Sequence, residues 1–213
     1  MTRVKSIGCL AVAMLLAAGG CHKPPPPPPP PPPAVWHPPT NRADQLREMS
    51  QRVEEMNSAL GDLPGSSTED HRQRADDILK NLAKVLRLAE GNNASPEFEN
   101  RLAVVEASEA TLSHANLPRP QMEASENEAV RASIAALEQI TGRYLGDDEK
   151  IPPMLDTAKG QLDSMYTIGG PMHDLVASDG LRAVGEVIKR VSSDLIERNG
   201  GGTNTAAPTK NPS

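Results

Sequence analysis

Apolar residues recur along the middle of the chain, residues 40–199, with the spacing of an α-helix. They fall three and four positions apart, which places them on one face of a helix. The first such stripe consists of Leu46, Met49, Val53, Met56 and Leu60, and the last consists of Leu181, Val184, Ile188, Val191 and Leu195. No stretch alternates apolar and polar residues as a half-buried strand does. The pattern predicts an all-α domain, a small antiparallel bundle of about five to six helices.

Glycine, proline and capping residues mark where the first three helices begin and end. The first covers residues 42–60 and carries an i,i+4 pair, Glu48 with Arg52, on its polar side. The second starts at residues 66–68 and ends at Gly91. Ser95 followed by Pro96 predicts the start of the third, because serine caps a helix and proline is favoured at its first position.

Prolines and a capping motif also divide the second half of the domain. We expect Pro118 and Pro120 to close the third helix, and Ser125-x-x-Glu128 to open the fourth as a capping box. A fifth helix follows the pair at 152–153. A glycine-rich break over residues 167–171 separates it from the last helix.

The first and last stripes are heptad-like and are the best candidates for pairing. They can pack against each other within one chain or against a second copy. Our hypothesis is intramolecular antiparallel packing, and the sequence leaves the oligomeric state open.

The first 21 residues have the features of an export signal. Arg3 and Lys5 precede an apolar stretch over residues 7–18, which is too short for the ~20 residues of a membrane span. Small residues then lead into Cys21. This segment resembles the lipobox signal of bacterial lipoproteins. The alternative is ordinary secretory cleavage that leaves Cys21 as a free thiol.

The resemblance implies that residues 1–20 are a signal peptide and that Cys21 is the lipid attachment site, acylated on sulfur as by palmitate. Its lipid would be the contact with the membrane and would place the protein in the cell envelope. His22 stands next to the cysteine, where lipoproteins retained at the inner membrane often have Asp. In a bacterium with two membranes, this favours the outer membrane, with the domain facing the periplasm.

Residues 21–39 form a proline-rich tether. They contain twelve prolines, ten of them consecutive at 24–33. Such a run adopts the polyproline II conformation and makes a semi-rigid rod of ~30 Å. We interpret it as a spacer; a docking site for a proline-recognition module is the alternative. Residues 200–213 are rich in Gly, Thr, Asn and Pro and are predicted to be a disordered tail.

Composition and charge exclude several classes of function. The 213 residues carry a formal charge of −6, which argues against nucleic acid as a partner. The only cysteines, Cys9 and Cys21, cannot form a disulfide framework or a four-thiolate metal site. Acidic residues outnumber basic ones over 91–149. This excess can form a docking face for a basic partner, or it can simply keep an exposed helix face soluble.

Candidate chemistry is sparse. No two of the five histidines, His22, His37, His71, His114 and His173, have the i,i+3 or i,i+4 spacing of paired metal ligands on a helix. A haem pocket that uses Met49 or Met56 with His173 is conceivable, but both methionines lie on an apolar stripe, where Met usually fills the core. We interpret His173 as a loop or first-turn residue and the acids at 147–149 as a solvated turn.

These features predict no catalytic, cofactor-binding or metal-binding residue, and no enzyme. The expected function is that of a lipid-anchored cell-envelope protein that presents a helical binding or scaffolding domain on a polyproline spacer. Its partner would be an envelope protein bound through helical faces. The alternative is a helical-bundle carrier of a small cofactor or metal of the haem type.

Overall fold

The computed structural model describes residues 36–61 and 68–200, and within these ranges every regular element is a helix. The six helices are α1 (Arg42–Gly61), α2 (Thr68–Glu90), α3 (Pro96–Leu112), α4 (Arg119–Tyr144), α5 (Ile151–Thr167) and α6 (Pro171–Gly200). They belong to one unit that begins at His37. The predicted all-α class is confirmed.

The helices form two sets of three. The inner helices α2, α4 and α6 contact one another, and each outer helix lies in the groove between two of them. Helix α1 packs on α2 and α6, α3 on α2 and α4, and α5 on α4 and α6. Because consecutive helices are antiparallel, the three inner helices run in one direction. We call the end where α2, α4 and α6 begin the far end, and the opposite end, where residues 37–41 lead into α1, the leading end.

The apolar stripes read from the sequence form the core. All five stripe residues of α1 and all five of α6 are buried. The two helices pack against each other in the same chain, as the pairing hypothesis requires. The predicted Glu48–Arg52 pair is present on the polar side of α1, at 3.3 Å.

The start of α3 agrees with its predicted cap. The Ser95 hydroxyl accepts a hydrogen bond from the backbone N–H of Phe98, and Pro96 occupies the first turn. The hydroxyl also accepts a hydrogen bond from the Gln139 amide of α4, at 2.7 Å. One side chain therefore caps α3 and fixes it to α4.

The predicted capping box of α4 is wrong. Helix α4 begins at Arg119, so Ser125 and Glu128 lie inside it, and Glu128 pairs with Arg131. Pro120 does not close α3, which ends at Leu112, but sits in the first turn of α4. The missing N–H of proline costs nothing there, because the first turn has no intrahelical acceptor for it.

No helix within the described ranges is both long and apolar enough to cross a lipid bilayer. The predicted signal peptide (1–20), the lipid attachment site Cys21, the proline run 24–33 and the tail from 201 onward lie outside the described residues.

Candidate functional site

Three ionisable side chains meet in the interior near the far end, one from each inner helix. His71 comes from the first turn of α2, Glu126 from the third turn of α4 and His173 from the first turn of α6. They are at most 1% exposed. His71 Nε2 lies 2.8 Å from Glu126 Oε1, and His173 Nδ1 lies 3.3 Å from Glu126 Oε2. We call this set the His–Glu–His cluster.

Asn127 extends the cluster on the side of His173. Its Oδ1 lies 3.0 Å from His173 Nε2, so this ring nitrogen donates when the amide oxygen faces it. The other ring nitrogen, Nδ1, faces Glu126 Oε2, and neither of these two buried atoms has a hydrogen-bond partner. A neutral His173 that donates through Nε2 would therefore direct a lone pair at a carboxylate oxygen. A proton on Nδ1, or reversal of the Asn127 amide, removes that repulsion.

The electrostatics of the cluster favour a carboxylate beside an imidazolium. Burial alone would lower the pKa of His71, but the hydrogen bond and charge of Glu126, with the more distant Asp174, outweigh burial and raise it. Burial likewise would raise the pKa of Glu126, but His173 and His71 outweigh it and lower it. The carboxylate also contacts first-turn residues of α2 and α6, and the positive ends of these two helix dipoles favour its charged form.

Arg119 connects the chain segments that surround the cluster at the far end. Its guanidinium donates to both carboxylate oxygens of Asp174, at 2.8 and 3.2 Å, and to the Gly170 carbonyl at 2.8 Å. It also donates to the Thr68 hydroxyl at 2.7 Å. One side chain of α4 thus holds the first residue of α2, the first turn of α6 and the turn before it.

A second acid of α4 closes the turn between α5 and α6. The Glu123 carboxylate accepts a hydrogen bond from the Gly170 backbone N–H, at 2.8 Å. Gly170 has a φ of +70°, in the left-handed region that glycine tolerates without strain. This conformation, fixed by Glu123 and Arg119, directs the chain into α6 so that His173 turns inward.

The chemistry available to this cluster is proton binding. Within the described ranges, no group of three or more His, Cys, Asp or Glu side chains is arranged to hold a metal ion. The imidazoles and the carboxylate are instead set at hydrogen-bond and ion-pair distances, in an interior where a change of charge is costly.

The methionines considered for a haem pocket are core residues remote from His173. Met49 and Met56 are 0% and 1% exposed. The Met56 methyl lies 3.6 Å from the position of a Cβ atom on Gly185. Gly185 is about three helical turns, or ~18 Å, from His173 along α6. Met49 lies nearer still to the leading end, because α1 runs antiparallel to α6, so the fold does not bring these residues together.

The acidic turn at the leading end is only partly solvated. Asp147 is exposed and pairs with Arg198, but the Asp148 side chain is 7% exposed and lies 2.8 Å from Arg190. Arg190 also contacts Asp194, at 3.1 Å. The interpretation as a purely solvated turn is therefore wrong for Asp148, because α6 returns past this turn and supplies two arginines. A surface cavity of about 520 Å³ lies between the turn and α6.

The sequence analysis missed the His–Glu–His cluster because its members are distant in the chain. The sequence does contain a signal for it, however. Each of the three residues lies four positions before the first apolar residue of a stripe, and so extends that stripe toward the start of its helix. His71 precedes Ala75 and Ile78 by helical spacing, and Glu126 likewise precedes Val130. His173 precedes Ala177, which precedes Leu181. A polar residue at a core position of a stripe indicates a buried polar contact.

Comparison with protein-family models, with curated proteins and with solved structures finds no match.

Proposed function

We propose that this chain is a lipid-anchored protein of the cell envelope, attached through Cys21, whose six-helix domain binds or scaffolds an envelope protein. The proline-rich residues 21–39 serve as the spacer. In a bacterium with two membranes, the anchor lies in the outer membrane and the domain faces the periplasm. The proposal joins the lipobox-like signal to a domain whose first residues are fixed at one end of the bundle.

The observation that carries this proposal is the attachment of the leading segment. The Gln45 amide donates to the Pro39 carbonyl at 2.8 Å, and the Asn92 amide donates to the Thr40 carbonyl at 3.2 Å. Gln45 also donates to the Asn92 side chain, at 2.8 Å. These bonds tie residues 39–40 to α1 and to the turn between α2 and α3, as a domain held by its N-terminal segment requires.

Arg42 strengthens the same corner. Its guanidinium donates to the carbonyls of Leu88 and Ala89, at 2.6 and 3.0 Å, and so closes the last turn of α2. A force applied through the tether is therefore shared between α1 and α2 from the first helical residue.

The anchor is tested by Cys21→Ser, with Cys9→Ser as the matched control. We expect Cys21→Ser to abolish fatty-acid labelling and to move the protein from the membrane fraction to the soluble fraction. Cys9→Ser, inside the predicted signal peptide, should leave both unchanged. Labelling that persists in Cys21→Ser would refute the anchor.

Partner binding is tested by photo-crosslinking in the native envelope, with the photoreactive residue placed in turn on exposed positions at each end of the domain. We expect crosslinks to a discrete protein from positions on one surface. Shortening residues 24–33 should reduce these crosslinks in cells but leave binding of the extracted partner intact. Loss of binding to the extracted partner would instead identify the proline run as the docking site.

A further inference from the structure

We propose that the His–Glu–His cluster is a proton-dependent lock that holds the first turn of α6 on α2 and α4. In the locked state the Glu126 carboxylate is balanced by one imidazolium. Loss of that proton as the pH rises weakens the lock, and so does protonation of Glu126 in acid. The structural consequence is release of the first turn of α6 at the far end.

The first turn of α6 depends on the cluster for its attachment to the core. Among residues 171–176, His173 alone is buried. Met172 and Leu175 are 59% and 50% exposed, so they contribute little burial. The turn follows Gly169 and Gly170, and the Gly170 backbone is held by Arg119 and Glu123 of α4. The first turn is also tied to α4 by the ion pair between Asp174 and Arg119 at the partly exposed rim.

In the described part of the chain, Glu126 is the one carboxylate that contacts both imidazoles of the cluster, so its charge decides their attachment. Its two oxygens face different rings, one on α2 and one on α6. With one imidazolium present, the cluster has no net charge. Removal of one proton leaves a carboxylate in the interior without a balancing cation in the cluster, a state that buried sites oppose strongly.

Asn127 limits how the cluster can adjust. In the structure, the Asn127 oxygen accepts a hydrogen bond from His173 Nε2. His173 then needs a second proton, on Nδ1, to donate a hydrogen bond to Glu126. If the amide turns over, its NH₂ group donates to Nε2, and a neutral His173 then donates through Nδ1. The local hydrogen bonds of His173 can thus survive deprotonation, but the charge balance of Glu126 cannot.

The charged groups around the cluster determine which proton is lost first. Asp174 of α6 favours the imidazolium of His71, whereas Arg119 of α4 opposes it. Glu123 of α4 is directed to Gly170, and Glu69 of α2 to Arg72, which donates to the Leu112 carbonyl at the end of α3. The N-termini of α2 and α6 stabilise the carboxylate and oppose a cation. The imidazolium of His71 is therefore the charge that is lost as the pH rises.

The direction of the pH dependence follows from the two shifts. The pKa of His71 is raised above its ordinary value of 6.5, so its stabilising effect is complete below pH 6.5 and is lost as the pH rises through the raised value. The pKa of Glu126 is lowered from its ordinary 4.5, so its effect is complete above pH 4.5 and is lost in acid. The lock is strongest between these two values.

The test is amide hydrogen exchange of the full chain, with protection factors corrected for the intrinsic pH dependence of exchange. We expect protection of residues 173–178 to fall by up to about tenfold per pH unit above pH 6.5, until the raised pKa is passed. Glu126→Gln should remove this fall. His114→Gln, which changes an exposed histidine at the end of α3, should preserve it. An equal fall in Glu126→Gln and in the unchanged chain would overturn the proposal.

A second measurement on the unchanged chain covers the case in which Glu126→Gln does not fold. Two-dimensional ¹H–¹⁵N spectra report the protonation state of each imidazole directly. We expect the His71 ring to stay an imidazolium to a pH above the ordinary histidine value of 6.5. If the His71 ring loses its imidazolium form at or below pH 6.5, the lock does not exist.

Discussion

Gly185 of α6 lies directly against Leu60 of α1. A Cβ atom at Gly185 would come within 2.7 Å of Leu60 Cδ1, closer than carbon atoms pack. Glycine inside a helix costs about 0.5–1 kcal/mol relative to alanine. The close approach of the two helices gives a physical reason for glycine at this position.

Gly185→Ala should therefore destabilise the domain despite the better helix propensity of alanine. We expect a loss of about 1–2 kcal/mol in the free energy of unfolding, because the overpacking cost exceeds the propensity gain. Gly160→Ala in α5 is the matched control, since a Cβ atom there has no neighbour within 4 Å. It should stabilise by about 0.5–1 kcal/mol. Urea unfolding measures both; stabilisation by Gly185→Ala would contradict the close packing of α1 on α6.

Arg119→Gln should disconnect the helix starts at the far end. Its guanidinium is the common donor to Asp174, Gly170 and Thr68, and both ion-pair partners are largely shielded, at 26% and 17% exposure. We expect a loss of about 1–3 kcal/mol in unfolding free energy. The control Arg131→Gln removes an exposed i,i+3 pair with Glu128 and should cost no more than about 0.5 kcal/mol. Thermal melts measure both variants. Equal losses of stability in Arg119→Gln and Arg131→Gln would contradict the role assigned to Arg119.

Asp194→Asn should change the pH dependence of stability at the leading end. Burial and the neighbouring Asp148 raise the pKa of Asp194 to about 6, from an ordinary 3.8. A raised carboxyl pKa means that the folded state binds the proton more tightly, so the unchanged chain loses stability as the pH rises from 3.8 to about 6. The variant lacks this loss, and we expect its stability relative to the unchanged chain to rise by on the order of 1 kcal/mol between pH 4 and pH 7.

The measurement for Asp194 is urea unfolding at a series of pH values. Asp179→Asn is the control, because Asp179 lies on the same helix but is exposed and pairs with Arg182 three residues away. The difference in stability between Asp179→Asn and the unchanged chain should not show the rise with pH that is expected for Asp194→Asn. Identical profiles for the two variants would contradict the shift assigned to Asp194.

The helices with the clearest stripes were predicted well. Helix α1 begins at Arg42 as predicted and ends one residue later than predicted, because its apolar spacing and Gly61 set both limits locally. The cap of α3 was equally local, since Ser95, Pro96 and Phe98 lie within four residues. The start of α4 was missed by six residues because Pro120 was read as a terminator. The helix in fact begins at Arg119, whose side chain bonds to Gly170 and Asp174, about fifty residues away in the chain.

The His–Glu–His cluster required the tertiary structure. His71 and Glu126 are 55 residues apart, and no spacing rule within one helix relates them. Each of the three residues continues an apolar stripe toward the start of its helix, which marks it as inward-facing. Only the parallel direction of α2, α4 and α6 brings the first turns of α2 and α6 beside the third turn of α4. The same return of α6 pairs Arg190 with Asp148, which a local interpretation assigned to solvent.

By itself, the sequence determined what depends on neighbours along the chain: the helical class, most helix limits, the apolar faces and a lipobox-like signal that resembles those of bacterial lipoproteins. These follow from backbone geometry and from the period of 3.6 residues, both of which act over a few positions. Only the tertiary structure decided which helices are inner and which polar residues are buried away from solvent. Burial depends on all the surrounding helices together. Because His71 and Glu126 are buried, a change in the charge of either side chain affects the stability of the fold.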